Sequence, residues 1–211
     1  MSALEKEWAH WDGEAGHHRV EVRGHTLYRY WAGEDSPRWG TLGHWDTGTL
    51  YPDIPLPRPE SYREDVRLAR EAGEDPQRRR LLWRELRTAA ESGWDFSSRW
   101  FRPRPGEGAG AGQLGLQHTA VTSILPVDLN AFLARSAAVL AHLLEDTDPE
   151  AAARWRRRQH DLEAAMEALM WDEEAGCWRD LDLHTGLRSQ QGFVASNLVP
   201  LWTRRSQYLL I

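Results

Sequence analysis

Three stretches of this 211-residue chain combine residue types that a purely structural segment would not need: RPESYREDV at Arg58–Val66, ESGWDFSSRW at Glu91–Trp100 and ILPVDLN at Ile124–Asn130. Each follows or enters a loop before a helix. In the second, Asp95 stands between Trp94 and Phe96, where partial desolvation would raise a carboxyl pKa and keep a proton available near neutral pH. Those are the surroundings of a general acid. The competing reading makes Asp95 a helix cap that accepts backbone N–H bonds, with Arg99 as a surface partner. In the first stretch, Pro59 fixes the backbone just inside a helix start, so that Arg58 and Glu60 lie near the helix N-terminus. An arginine fork there can grip hydroxyls or a carboxylate. A solvated helix start accounts for the same residues, with Glu60 favoured by the dipole and Arg58 simply exposed. In the third, Asp128 sits just before a strongly amphipathic helix, so an N-cap role is preferred over a catalytic one, and Asn130 reads the same way.

These groups must be held by helices. Leu129, Phe132, Leu133, Ala137, Leu140, Ala141 and Leu144 recur at the spacing of one buried face, predicting a helix over 128–145. Asp148 and Pro149 read as N-cap and first-turn proline of a second helix over 149–170, with Trp155, Leu162, Met166 and Leu169 on one stripe. Shorter helices are expected over 3–10, 59–72, 76–90 and 192–202, and a turn with one extended strand over 14–30. The fold class is mostly α. Gly- and Pro-rich runs near 32–57 and 102–115 read as mobile loops. The segment Trp171–Gly186 reads as a short hairpin joining two helices, and its alternating Asp180 and Asp182 invite a calcium reading. The ligand pattern of an EF-hand, with its glycine and distal glutamate, is absent, so neither metal nor cofactor is expected.

Composition narrows the classes further. With 41% hydrophobic and 27% charged residues the chain can build a sizeable core. A net charge of −6, with basic residues scattered among acidic ones, argues against nucleic acid. No window approaches roughly 18 consecutive apolar residues, and the first residues carry charges where a signal peptide would be apolar, so no membrane partner and a cytoplasmic location are expected. The single cysteine, Cys177, excludes a disulfide framework within the chain and is read as passive. The 12 tryptophans offer flat faces suited either to sugar rings or to packing between helices.

Taken in order, LEKEWAHWDG at Leu4–Gly13, YRYW at Tyr28–Trp31, RPESYREDV, ESGWDFSSRW, ILPVDLN and ASNLVPLW at Ala195–Trp202 resemble the trehalase family of glycoside hydrolases. The resemblance covers most of the chain. It implies a single partial (α/α) domain over 1–211, part of an incomplete (α/α)6 toroid whose paired helices leave loops at one end for a sugar pocket. It implies hydrolysis of α,α-trehalose to two glucose molecules with inversion, with Asp95 as the general acid. Arg58, Pro59 and Glu60 match a substrate-binding segment, and Gly93 matches a position whose backbone borders the bound sugar. A protonated carboxyl assisting the leaving oxygen is what glycosidic cleavage needs.

Two parts of the family pattern have no counterpart in the sequence. One is an N-terminal segment contributing an arginine and a Trp-Asp pair; the other is the glutamate-bearing C-terminal region around the general base. The expectation is therefore an enzyme by kinship whose solitary activity is in question. Its alternatives are a sugar-binding piece that self-associates or needs a complementing chain, and a remnant without function.

Overall fold

Helices do form where apolar spacing and capping agree. The computed structural model describes residues 3–13, 17–38, 59–71, 73, 75–103, 114–190 and 192–204. In chain order it contains α1 (Ala3–Trp11), β1 (Arg19–Val22), β2 (His25–Tyr28), α2 (Pro59–Glu71), α3 (Pro76–Glu91), β3 (Ile124–Leu125), α4 (Val127–Leu144), α5 (Pro149–Met170), β4 (Trp171–Asp172), β5 (Cys177–Trp178), β6 (Leu181–Asp182) and α6 (Val199–Arg204). The chain divides into two compact units, one of residues 1–30 and 122–211 and one of residues 31–121. Much of 32–57 and 102–115, including 39–57 and 104–113, lies outside the described residues.

The first unit is organised by α4 and α5. Leu129, Leu133, Ala137, Leu140 and Ala141 of α4 are buried against Leu162, Ala165, Met166 and Leu169 of α5 in one core. Each large side chain so buried contributes about 1.5–3 kcal/mol. Phe132 departs from the expected stripe: it is exposed, and its ring meets that of Trp202 edge-on at 6.1 Å. By length and composition α4 is apolar enough to cross a bilayer, and over half of it is instead buried within the protein. The α4–α5 turn is set as expected by Asp148, whose carboxylate accepts the Ala151 N–H at 2.9 Å, with Pro149 opening α5.

The extended segment before Tyr30 is a hairpin of two strands, where the sequence suggested one. Arg23 and Gly24 both take positive φ, 50° and 81°, the backbone that a tight two-residue turn between twisted strands requires. The end of β2 meets a side chain in place of a further strand. Buried Asn130 accepts the Tyr28 N–H at 2.8 Å and donates to the Tyr28 carbonyl at 2.8 Å and to that of Pro126 at 2.8 Å. Asn130 is thus a backbone clamp, not a helix cap. Below it, Tyr28 donates its hydroxyl to Asp12 at 2.8 Å and receives a bond from Arg158 at 3.1 Å, and burial pushes its phenol up to about 12. The Arg158 guanidinium in turn lies 4.4 Å over the ring of buried Trp8.

The expected 171–186 hairpin is present as β4 paired with β5, and β6 turns away to pair with β3. Its aspartates have structural work. Asp180 accepts the first N–H of α4, that of Val127, at 3.0 Å, and Asp182 accepts the N–H groups of His184 and Thr185 at 2.9 and 3.1 Å. Asp128 is consequently not the cap expected of it: Pro126 occupies the N-cap position, and Asp128 lies buried in the first turn. Cys177 is buried in β5 with a free thiol, in a strand just past the turn that Gly176 makes. The helix expected over 192–202 is a 3-10 turn at Ala195–Leu198 followed by α6.

The second unit is a pair of helices under a strap. Leu68 and Ala69 of α2 pack on Leu82 and Leu86 of α3, with Trp83, Phe96 and Leu116 around them. Asp75 caps α3 by accepting the Gln77 N–H at 2.9 Å. Residues 32–37 are tied along α3. Thr88 accepts the Ala32 N–H at 3.0 Å, and Arg87 donates to the Ser36 and Pro37 carbonyls at 2.7 and 2.8 Å.

Two outcomes are expected. Asn130→Ala, which leaves buried backbone groups unpaired, should lower stability by about 2–3 kcal/mol in urea unfolding. The second concerns His18, which is half-buried, with the ring of His10 at 4.6 Å. Burial depresses its pKa, as do His10, His17 and Arg29, against the opposing bond to the Arg29 carbonyl. The folded state therefore disfavours the charged ring, and His18 costs no stability above the ordinary pKa of about 6.5. As the pH falls below that value the unfolded chain takes up the proton first and stability declines. Melting temperature followed from pH 7.5 to 5.5 should fall more steeply for the parent chain than for His18→Gln.

Candidate active site

Helix α3 ends at Glu91 and delivers the chain into the Asp95 loop, where small polar side chains take over from helical bonding. Ser92 is buried; its hydroxyl donates to the Ala89 carbonyl at 2.6 Å and accepts the Trp94 N–H at 3.0 Å. Gly93 has φ of +70°, a left-handed backbone that a residue with a Cβ resists, and it is exposed. The Trp94 carbonyl then accepts two bonds, from the Ser97 N–H at 2.6 Å and from the indole of fully buried Trp100 at 3.1 Å. Ser97 caps the 3-10 turn at Ser98–Trp100 by accepting the Arg99 N–H at 3.3 Å. Trp94, the residue immediately before Asp95, is therefore held at both its amide and its carbonyl.

Asp95 itself is exposed. The desolvation expected from Trp94 and Phe96 is not present, because both rings are half-buried and occupied elsewhere: Trp94 lies 5.5 Å from the Arg99 guanidinium, and Phe96 lies 4.8 Å from that of Arg38. Nor does Asp95 cap a helix, since Ser97 does so. Among the described residues its carboxylate makes no hydrogen bond or ion pair. Arg99 is likewise not the surface group expected: it is 1% exposed and stacks 4.2 Å over Trp100. At the start of the loop, desolvation raises the pKa of the Glu91 carboxyl and Glu34 raises it further, while Arg87 pulls it down.

Of the other expected site residues, Arg58 lies outside the described residues, and Pro59 and Glu60 open α2, where only the backbone is described. The sequence did not single out Arg38. It follows Pro37 as Arg58 follows Pro57, and it reaches α2: its Nε and Nη2 bind the Asp65 carboxylate at 2.6–3.1 Å, its own N–H donates to Asp65 at 2.7 Å, and Glu64 lies at 3.6 Å. Ser92 and Trp100 also went unnoticed, since a serine before a glycine and a tryptophan among others carry no local mark of their role.

Against known proteins, a family model described as Trehalase matches residues 1–208. The chain belongs to the trehalase family. It is 34% identical over 206 residues to a trehalase of Bombyx mori, covering 96% of this chain and 31% of that protein. It is 41% identical over 147 residues to a trehalase of Oryctolagus cuniculus, covering 69% of this chain and 24% of that protein. Among solved structures, neutral trehalase Nth1 from Saccharomyces cerevisiae is similar with a TM-score of 0.62 at 16% identity, covering 95% of this chain and 35% of that one. The trehalase-family fold to which these helices belong is the (α/α)6 toroid, of which they form part. The chain thus spans about a third or less of the length of these trehalases.

Ser92→Ala removes both bonds that fix the turn before Asp95. It should cost about 1–2 kcal/mol in urea unfolding, since the Trp94 N–H loses its buried acceptor.

Proposed function

We propose that this chain carries the acid half of a trehalose-hydrolysing site, with Asp95 protonating the leaving glycosidic oxygen as α,α-trehalose is cleaved to two glucose molecules with inversion. One observation carries the reading: an exposed carboxylate, engaged by none of the described residues, stands next to a residue whose amide and carbonyl are both tied down. A capping or structural aspartate would spend its oxygens on the protein. This one is left for a ligand, and its position is held by neighbours rather than by bonds of its own. The relatives, each named a trehalase, supply the substrate class. In this reading the bound sugar covers the Asp95 carboxyl that Trp94 and Phe96 leave exposed. Gly93 would let the backbone approach the sugar, and the segment Arg58, Pro59 and Glu60 would contribute to binding it.

Inversion also needs a carboxylate base about 6.5–9.5 Å from the acid to activate water. A second reading is favoured by the exposed Phe132, Leu198, Leu201 and Trp202 of the first unit. Such an apolar set is suited to helices equivalent to those in the part of the relatives this chain does not match, with turnover arising only once they are present.

Glucose release from trehalose, measured beside Asp95→Asn, tests the assignment. A working site should lose about 10²–10⁴-fold in rate in the variant. Turnover that persists undiminished would remove Asp95 from the mechanism. Turnover that appears only when the remaining trehalase helices are supplied would establish the second reading.

A further inference from the structure

We infer that Arg38 is a positioning residue that sets the Asp95 loop against α2. The inference deepens the proposed function and rests on it for its catalytic meaning, although the geometry stands by itself. Arg38 carries its guanidinium into the space between two segments of the second unit. On one side is Asp65, fully buried on α2, which receives Arg38 Nη2 at 2.6 Å, Nε at 3.0 and 3.1 Å, and the Arg38 backbone N–H at 2.7 Å. On the other side is the face of Phe96, 4.8 Å from the guanidinium carbon. Phe96 is the residue immediately after Asp95.

The arginine and its Asp65 partner are both anchored. Asp65 has its carbonyl engaged as well, by the Trp83 indole N–H at 3.1 Å, so α2, α3 and Arg38 meet at one residue. The Arg38 side chain is only 14% exposed, and the strap that leads to it is tied to α3 through Arg87 and Thr88. A planar guanidinium can bind a carboxylate along its edge while presenting its face to a ring, which an ammonium cannot reproduce. The loop around Asp95 is thus held twice: Ser92 and Trp100 fix Trp94 on one side, and Arg38 braces Phe96 on the other. Among the described residues the Asp95 side chain makes no bond that would place it, so what braces its neighbours bears on where its carboxylate stands.

A bare salt bridge and a strut differ in what a charge-neutral repair restores. Removing Arg38 alone strands a buried carboxylate, which destabilises whatever the role of the arginine. Arg38→Met with Asp65→Asn removes both charges together. The readouts, made on the full chain, are melting temperature and amide hydrogen exchange at Trp94 and Ser97, whose N–H groups form the bonds of the loop. The single Arg38→Met variant should lower the melting temperature and speed both amides. The double variant should recover most of the melting temperature while Trp94 and Ser97 still exchange roughly 10-fold or more faster than in the parent chain, the change expected when local opening becomes easier. Arg38→Lys should behave like the double variant at the loop. Where trehalose turnover is measured, kcat should fall in the double variant with KM little changed. Recovery of loop protection together with melting temperature in the double variant would overturn the proposal, as would parent-like exchange in Arg38→Lys. Undiminished turnover in Asp95→Asn would dismiss the acid role of Asp95 and leave the exchange result to stand or fall by itself.

Discussion

Burial of one face of α4 is the constraint from which the first unit follows. An 18-residue helix with so apolar a surface has to be covered, and α5, delivered antiparallel by the turn at Asp148, covers most of it. Once α4 is sunk in the core, the backbone groups at its buried start must find partners without help from water. Asp180 answers the first N–H, and Asn130 answers the neighbouring strand, bonding β2 as a further strand would. Asn130 of ILPVDLN is thus a consequence of burying α4, and the alternation of Asp180 and Asp182 is a matter of capping and turning.

The second unit solves a different problem: among the described residues the Asp95 carboxylate is unengaged while its neighbours are held. Ser92, Ser97 and the Trp100 indole satisfy the backbone on the N-terminal side of the loop, and the arginines 38 and 99 press on the rings of Phe96, Trp94 and Trp100. The two aromatic neighbours of Asp95 act as handles by which arginines hold the loop. Under the proposed role of Asp95 this division would suit the chemistry, because a fixed position costs no reorganisation when a substrate arrives.

Membership of the trehalase family and the share of the (α/α)6 fold fit this arrangement. The matched relatives extend well beyond the region aligned here, which covers 31% of the silkworm protein. An inverting site needs a second carboxylate at a set distance. Under the proposed function the Asp95 loop would be one component of such a site, and the first unit exposes Phe132 and Leu143 of α4 and Leu201 and Trp202 of α6.

Local sequence determined a good deal. The spacing of Leu129, Leu133, Ala137 and Leu140, and the Asp148-Pro149 cap, placed the two long helices within a residue of their ends, because periodicity and capping are set by near neighbours. ESGWDFSSRW marked the Asp95 loop for the same reason, since its residue types are concentrated in one run. Burial was decided only by tertiary structure. Flanking rings suggested a sheltered Asp95, and the alternative capping reading a surface Arg99; the structure has an exposed Asp95 and a buried Arg99, with the flanking rings against Arg38 and Arg99. The roles of Arg38 on Asp65, of Asp180 on α4 and of Asn130 on β2 join residues 27, 53 and 102 positions apart. Nothing in the local pattern signals such pairs, because a buried polar group is satisfied by whatever the folded chain brings beside it.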